Sequence, residues 1–241
     1  LVLAETPANP RLDIVDLDAL GSIVNALTVV DSTFATPMGQ RPLAHGVDLV
    51  IHSATKGIAG HNDATIGVVA GSEDLMSWLW GFAVLHGANA SPYDAYNAHR
   101  GVRTLGVRLR QQAESARLLA DFLEAHDAVS DVRYPGLASH PQHDLAVGQM
   151  QSMGGLLTFD LAGGLEAGRR FVEATSIARQ ATSLGGPETL LCHSATTTHV
   201  SLTPEELEAS GIGEGTVRVS CGLENVDDLV ADFGRGLDAA R

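Results

Sequence analysis

The sequence predicts an α/β fold: a mostly parallel sheet in a first domain, followed by a smaller α+β domain. Three observations predict it. Short runs apolar on both faces recur in the first third, helix-like spacings lie between them, and 26 glycines against 9 prolines suit many tight turns. Strands buried on both faces and separated by helices indicate a parallel sheet covered by helices. With 241 residues, 44% of them hydrophobic and 18% charged, the chain can bury a sizeable core.

Taken in order, Leu1-Val2-Leu3-Ala4 reads as the middle or end of a buried strand. It carries no basic region or cleavage site of a signal peptide, and residue 1 is read as internal to a longer fold. Leu12, Val15, Leu17, Leu20, Ile23, Val24 and Leu27 recur at helical spacing. Residues 27–31, 48–52 and 66–70 are short apolar strands. Ser91-Pro92-Tyr93-Asp94 announces a helix, with Ser as N-cap, Pro at the first helical position and Asp in the first turn. The pattern continues through Arg100, Leu105, Leu109 and Leu118 to about His126, as one or two helices bridging to the second domain. That domain mixes strands at 156–159 and 217–220 with helices at 168–174 and after Asn225. The division falls near residue 105, giving domains 1–105 and 106–241.

A formal net charge of −14 repels phosphate backbones and anionic lipids, which argues against nucleic-acid and membrane-surface partners. No run reaches the ~18 apolar residues of a membrane span. Cys192 and Cys221 form neither a disulfide framework nor a zinc pairing, so a reducing, cytoplasmic setting is expected. The histidines, among them His52, His61, His140, His143, His193 and His199, show no metal-ligand spacing, and no metal is expected.

Of the 15 basic residues only Lys56 is a lysine, and it follows a buried strand in Ile51-His52-Ser53-Ala54-Thr55-Lys56. Unlike arginine, a desolvated lysine can lose its proton and become a nucleophilic amine. If the segment stays extended, Ser53 and Thr55 project to one side, where two hydroxyls suit an anchored phosphate. Asp31 ends a neighbouring apolar strand, where a carboxylate needs a partner. A pyridoxal cofactor demands both elements: a lysine for its aldehyde and an acid opposite its pyridine nitrogen. Arg218 lies among apolar neighbours, so its partner is either a buried anion or a structural glutamate such as Glu224.

These residues carry a family likeness. Glu5-Thr6-Pro7-Ala8-Asn9-Pro10, Val30-Asp31-Ser32-Thr33-Phe34-Ala35-Thr36-Pro37, His52-Ser53-Ala54-Thr55-Lys56, Gly60-His61-Asn62-Asp63, Tyr134-Pro135-Gly136-Leu137, Ser183-Leu184-Gly185-Gly186 and Val217-Arg218-Val219-Ser220 stand in the order of a known group. The chain resembles the Cys/Met-metabolism pyridoxal-phosphate (PLP) enzymes of fold type I, aspartate-aminotransferase-like, which include cystathionine γ-synthase, cystathionine γ-lyase and methionine γ-lyase. The resemblance implies that Lys56 forms the cofactor aldimine and shuttles protons. It places Asp31 on the pyridine nitrogen, Ser53 and Thr55 on the phosphate, and Asn9 on the ring's hydroxyl side. Arg218, with Ser183 beside it, would clamp the substrate α-carboxylate, while Glu5 holds the turn near Asn9.

Three sites depart from the family's pattern: Gly57 in place of an aromatic residue, Ser32 in place of Asn, and Leu85-His86 where methionine γ-lyases carry a Lys-Asp pair just ahead of the glycine that corresponds to Gly87. They bear on substrate choice rather than on the cofactor. The family's ring-stacking tyrosine, Gly-rich phosphate turn and neighbour-subunit residues would lie upstream of residue 1, so this chain alone is expected to form an incomplete site. The resemblance further implies a homotetramer with shared active sites and an amino-acid substrate. The expected activity is γ-elimination on a γ-substituted L-amino acid such as methionine, cystathionine or a homoserine derivative, non-sulfur leaving groups included. The alternatives are γ-replacement and an inactive or regulatory fragment. A dinucleotide or nucleotide site is disfavoured, because neither Gly-rich motif follows a strand.

Overall fold

The computed structural model describes residues 1–241, the side chains of Pro204 and Glu208 excepted. In chain order its elements are β1 (Val2–Glu5), α1 (Leu17–Gly21), β2 (Thr28–Asp31), α2 (Thr36–Gly39), β3 (Leu49–Ser53), β4 (Gly67–Gly71) and α3 (Glu73–His86). Then follow α4 (Pro92–Val102), α5 (Leu105–Glu124), β5 (Val129–Arg133), α6 (His143–Gln149), β6 (Leu156–Leu161) and α7 (Gly164–Ala174). The chain ends with β7 (Arg179–Gln180), β8 (Leu190–His193), α8 (Pro204–Ala209), β9 (Thr216–Ser220) and α9 (Val226–Ala240).

The expected apolar runs pair into a four-stranded sheet of order β1-β2-β3-β4, parallel except for β4. Register sets Glu5 beside Asp31 and Asp31 beside Ile51. One face is packed by Leu17, Leu20, Val30 and Val47, with Val2 and Ala4 against them. On the opposite face the inner strands are covered, Val29 and Leu49 being 9% and 8% exposed, whereas Leu3 and Val69 on the edge strands are 63% and 45% exposed. Helix α3, which the sequence reading did not single out, has no buried residue.

The second sheet has the order β5-β6-β9-β8-β7, antiparallel except where β7 meets β8. Leu157, Phe159, Leu191, Val217 and Val219 turn to one core with α5, α7 and α9. Phe159, Phe171 and Phe233 meet there with centroids 5.2–6.4 Å apart, two of the three contacts edge-to-face as aromatic quadrupoles favour. By alternation Thr158, Cys192 and Arg218 face the other way.

Caps fall where the sequence put them. The Ser91 hydroxyl accepts from the Asp94 N–H at 3.1 Å, and the Asn225 side chain accepts from Asp227 at 2.8 Å. The helical spacing over residues 12–27 yields only the short α1. Leu12 has φ 60°, and the Asp16 carboxylate caps the helix one residue before Leu17. The preceding backbone finds its hydrogen bonds elsewhere. Gln142 pairs with both Ile14 N–H and C=O at 2.8 and 2.6 Å, and Gln149 with Leu17 N–H and Val15 C=O at 3.3 and 2.9 Å.

Phe171→Ala opens a cavity in the three-ring core and should cost about 3–5 kcal/mol. A denaturant midpoint unchanged from the unsubstituted protein would contradict this packing.

Candidate active site

Parallel strands deliver their carboxyl ends to one side, where α/β folds bind ligands. Asn9 lies just beyond β1, Asp31 closes β2, Ser53 closes β3, and Lys56 stands three residues further on. The Asp31 Oδ1 accepts from the Thr33 N–H at 2.9 Å and the Thr33 hydroxyl at 2.6 Å, and that hydroxyl in turn accepts from the Ser53 N–H at 2.8 Å. Thr33 therefore fixes two neighbouring strand tips to one another. Burial, and then Asp31 beside it, hold the Glu5 carboxyl above its ordinary range. Glu5 Oε1 accepts from the Asn9 N–H at 3.3 Å, consistent with its expected part in that turn.

The segment after β3 does not stay extended. The Lys56 N–H donates to Ser53 C=O at 3.0 Å and closes a turn, so the two hydroxyls do not share a face by strand alternation. Thr55 turns to Ile66, accepting its N–H at 2.9 Å and donating to its C=O at 3.3 Å. The Ser53 hydroxyl has no partner among the described residues.

Lys56 reaches across to the second sheet, its Nζ donating to Ser183 Oγ at 3.3 Å. Burial, and then the Arg218 guanidinium, hold the amine below its usual range. Arg218 is 3% exposed. Its Nη1 donates to Asn9 Oδ1 at 3.0 Å, and its Nη2 to the carbonyls of Thr182 at 2.8 Å and Ser183 at 3.1 Å. Its Nε has no partner, and no carboxylate pairs with it among the described residues. Glu224, the glutamate considered from sequence, instead accepts from Thr189 N–H at 2.6 Å and Oγ1 at 2.7 Å. All seven sequence-derived residues thus lie on the carboxyl side of the first sheet or on the facing side of the second, and Lys56, Asn9, Ser183 and Arg218 are linked directly.

Of the three departures, Gly57 is in the site. A Cβ on Gly185 (φ 76°) would lie 2.5 Å from the Gly57 nitrogen, so the loop carrying Ser183 presses on the lysine turn backbone-to-backbone. Ser32 is buried with its hydroxyl unpartnered. Leu85 is 84% exposed, and His86 is engaged by its own helix through Phe82 C=O at 2.9 Å.

Sequence reasoning missed Arg108. It lies on the buried stripe of α5 with Leu105, Leu109 and Gln112, and its polar character at that 3–4 spacing was the available signal. It also missed the strap from Asn62 Nδ2 to Glu188 Oε1, at 2.6 Å, which joins the lysine turn to the Ser183 loop.

Comparison with known proteins places this geometry. The model of the Cys/Met metabolism PLP-dependent enzymes matches residues 1–238. The chain belongs to that family. It is 44% identical over 244 residues to an L-methionine gamma-lyase of Fusobacterium nucleatum subsp. nucleatum, covering 99% of this chain and 62% of the relative. It is 43% identical over 242 residues to an O-succinylhomoserine sulfhydrylase of Pseudomonas aeruginosa, covering 99% and 60%. Among solved structures, a cystathionine gamma synthase from Xanthomonas oryzae pv. oryzae superposes with a TM-score of 0.95 at 44% identity, covering 99% of this chain and 63% of that one. The chain therefore spans about three fifths of the length of the relatives it matches. Among the described residues no helix is long and apolar enough to cross a membrane.

The family's cofactor is pyridoxal 5'-phosphate, and the side chains present fit it. Asp31 uses one carboxylate oxygen on Thr33 and keeps the other unengaged, Ser53 offers an unpartnered hydroxyl, and Lys56 presents a desolvated amine.

Burial also holds His52, His140 and His193 below the ordinary histidine range. Unfolding frees them to take protons near pH 6.5. Through these three groups the unfolded chain binds more protons than the native one, so the stability they contribute falls as pH drops through about 6.5, above the range where the raised Glu5 and Asp160 carboxyls act in the opposite sense. Thermal midpoints that rise on acidification from about pH 7.5 to 5.5 would contradict this.

Proposed function

We propose that this chain carries the lysine-bearing part of a lyase performing γ-elimination on a γ-substituted L-amino acid. The observation that carries the reading is a buried guanidinium that pairs with no carboxylate among the described residues, joined through Ser183 to a half-buried amine. Lys56, Asp31, Ser53, Thr55 and Asn9 would hold the cofactor. Bound there, pyridoxal phosphate supplies an aldehyde for amines and a ring that draws electrons from the substrate's Cα.

Arg218 would take the substrate α-carboxylate, whose charge a buried cation lacks. Its bond to Asn9 Oδ1 leaves that amide's N–H₂ free of the guanidinium, and Asn9 would serve the ring's hydroxyl side. Thr55 would meet the phosphate by giving up its longer bond to Ile66. Lys56 Nζ, held below its usual range, would take a proton from the substrate's Cα, give that proton up again, and only then take one from Cβ. Methionine, cystathionine and homoserine derivatives are the substrates this reading names, non-sulfur leaving groups included. The gamma-lyase names among the relatives support it. The sulfhydrylase and synthase names support the second reading, γ-replacement, in which a thiol or other nucleophile takes the γ position. The division at residue 105, a homotetramer with shared sites and a cytoplasmic setting belong to the same proposal.

Borohydride treatment of the complete, cofactor-loaded protein should label Lys56; a label elsewhere, or none, overturns the reading. Product analysis with and without added thiol separates the two reactions, because elimination releases a 2-oxo acid and ammonia unaided. Arg218→Ala should raise KM about 10²-fold, through loss of charge-assisted bonds together worth about 3 kcal/mol, while the visible spectrum persists. A bleached spectrum would make Arg218 structural instead.

A further inference from the structure

We propose that Arg108 is a positioning residue for Lys56, holding the backbone of the lysine turn from behind so that the amine is presented at one place. The inference rests on the reading of Lys56 as the reacting amine. Arg108 lies in the first turn of α5 and is 4% exposed. Its Nη1 donates to Gly57 C=O at 2.8 Å, and its Nη2 to Ile58 C=O at 3.2 Å and Gly101 C=O at 2.9 Å. Its Nε donates to Thr104 Oγ1 at 3.0 Å, so the guanidinium itself is held at the junction of α4 and α5.

A buried cation ordinarily requires an anion. Among the described residues Arg108 pairs with none, and peptide carbonyls take that place. Two of them belong to the peptide units immediately after Lys56, where the turn also closes on itself through Gly60 N–H to Lys56 C=O at 2.8 Å. Space for the guanidinium depends on residue 60: a Cβ on Gly60, which has φ 66°, would lie 1.9 Å from Arg108 Nη1.

The brace matters more here because residue 57 has no side chain. Glycine leaves the backbone after Lys56 its widest conformational freedom, and the 2.8 Å bond to its carbonyl removes that freedom. A planar fork can hold the two successive carbonyls at once, whereas a point-charge ammonium cannot. Arg108 makes no hydrogen bond to Ser183 or Arg218; its direct hold is on the backbone that carries the amine.

The test uses the complete protein with Arg108→Gln, Arg108→Lys and the milder Thr104→Val. For Arg108→Gln, kcat per folded site should fall about 10²-fold, the scale of an ångström-level misplacement, with KM nearly unchanged. Arg108→Lys should be intermediate. In the cofactor-free protein, amide hydrogen exchange at residues 57–60 should accelerate while exchange in β6 and β9 stays slow. A merely structural role would lower stability, yet leave kcat per folded site and the 57–60 exchange pattern as they were. Should Arg108→Gln not fold, Arg108→Lys and Thr104→Val carry the same two readouts, and unchanged values in both overturn the proposal. Borohydride labelling of Lys56 in the unsubstituted protein separates this outcome from failure of the underlying reading.

Discussion

Two cations meet at Ser183 with no carboxylate between them among the described residues, and the arrangement of the site follows from that. Burial weakens both charges, but the two groups respond differently. An ammonium can relieve its desolvation by losing a proton, whereas a guanidinium keeps its charge over the accessible pH range. The result is a contrast within a few ångströms: the Lys56 amine is held below its usual range, and the Arg218 guanidinium keeps its charge and, within the described structure, one unpartnered nitrogen. A carboxylate supplied by the protein would have cancelled that charge, and Glu224 is held away by two bonds to Thr189.

Such a site needs rigid surroundings, since neither cation is anchored by an opposite charge. The anchoring is done by neutral groups. Thr33 links the tips of β2 and β3 through one hydroxyl, Asn9 holds one arm of Arg218, and carbonyls hold the other. Gln142 and Gln149, at the start and end of α6, bind the segment 14–17 as a neighbouring strand would, tying the chain near Asn9 to the second half of the protein. Thr158 adds a bond from the second sheet to Pro10 C=O at 2.6 Å. Neutral polar side chains thus supply most of the bonds between the two halves, with the Arg133–Asp13 ion pair at 3.8 Å beside them.

The parts of this arrangement legible in the sequence are those written locally. Apolar runs announce β2, β3 and β4, Ser91 and Asn225 announce their helices, and the solitary lysine announces itself by composition. What was illegible depends on distant partners. The helical spacing at residues 12–27 is real, yet glutamines about 130 residues away take the backbone groups that a helix would have used. Ser53 and Thr55 were expected to share a face, and a single bond from Lys56 N–H to Ser53 C=O ends the strand between them. Arg108 sat unremarked on a stripe of core positions because its role is defined only by the carbonyls it meets. The exposure of Leu3 and Val69 on the edge strands could not be read either, since apolar residues look alike whether covered or not.

The substitution of glycine after the lysine has a physical counterpart in Thr36. This β-branched residue has φ 59°, a conformation costing on the order of 1–3 kcal/mol that persists only where neighbours enforce it. Its Cγ2 methyl points at residue 57, and a Cβ there would approach it to 3.0 Å. A side chain at residue 57 would press on an already strained threonine at the start of α2, whose N–H donates to Ser32 C=O at 3.0 Å. Ser32 is itself the second departure from the family's pattern. The two departures are therefore neighbours through Thr36, and they act on the packing behind Asp31 and Lys56 rather than on the groups that would contact the cofactor.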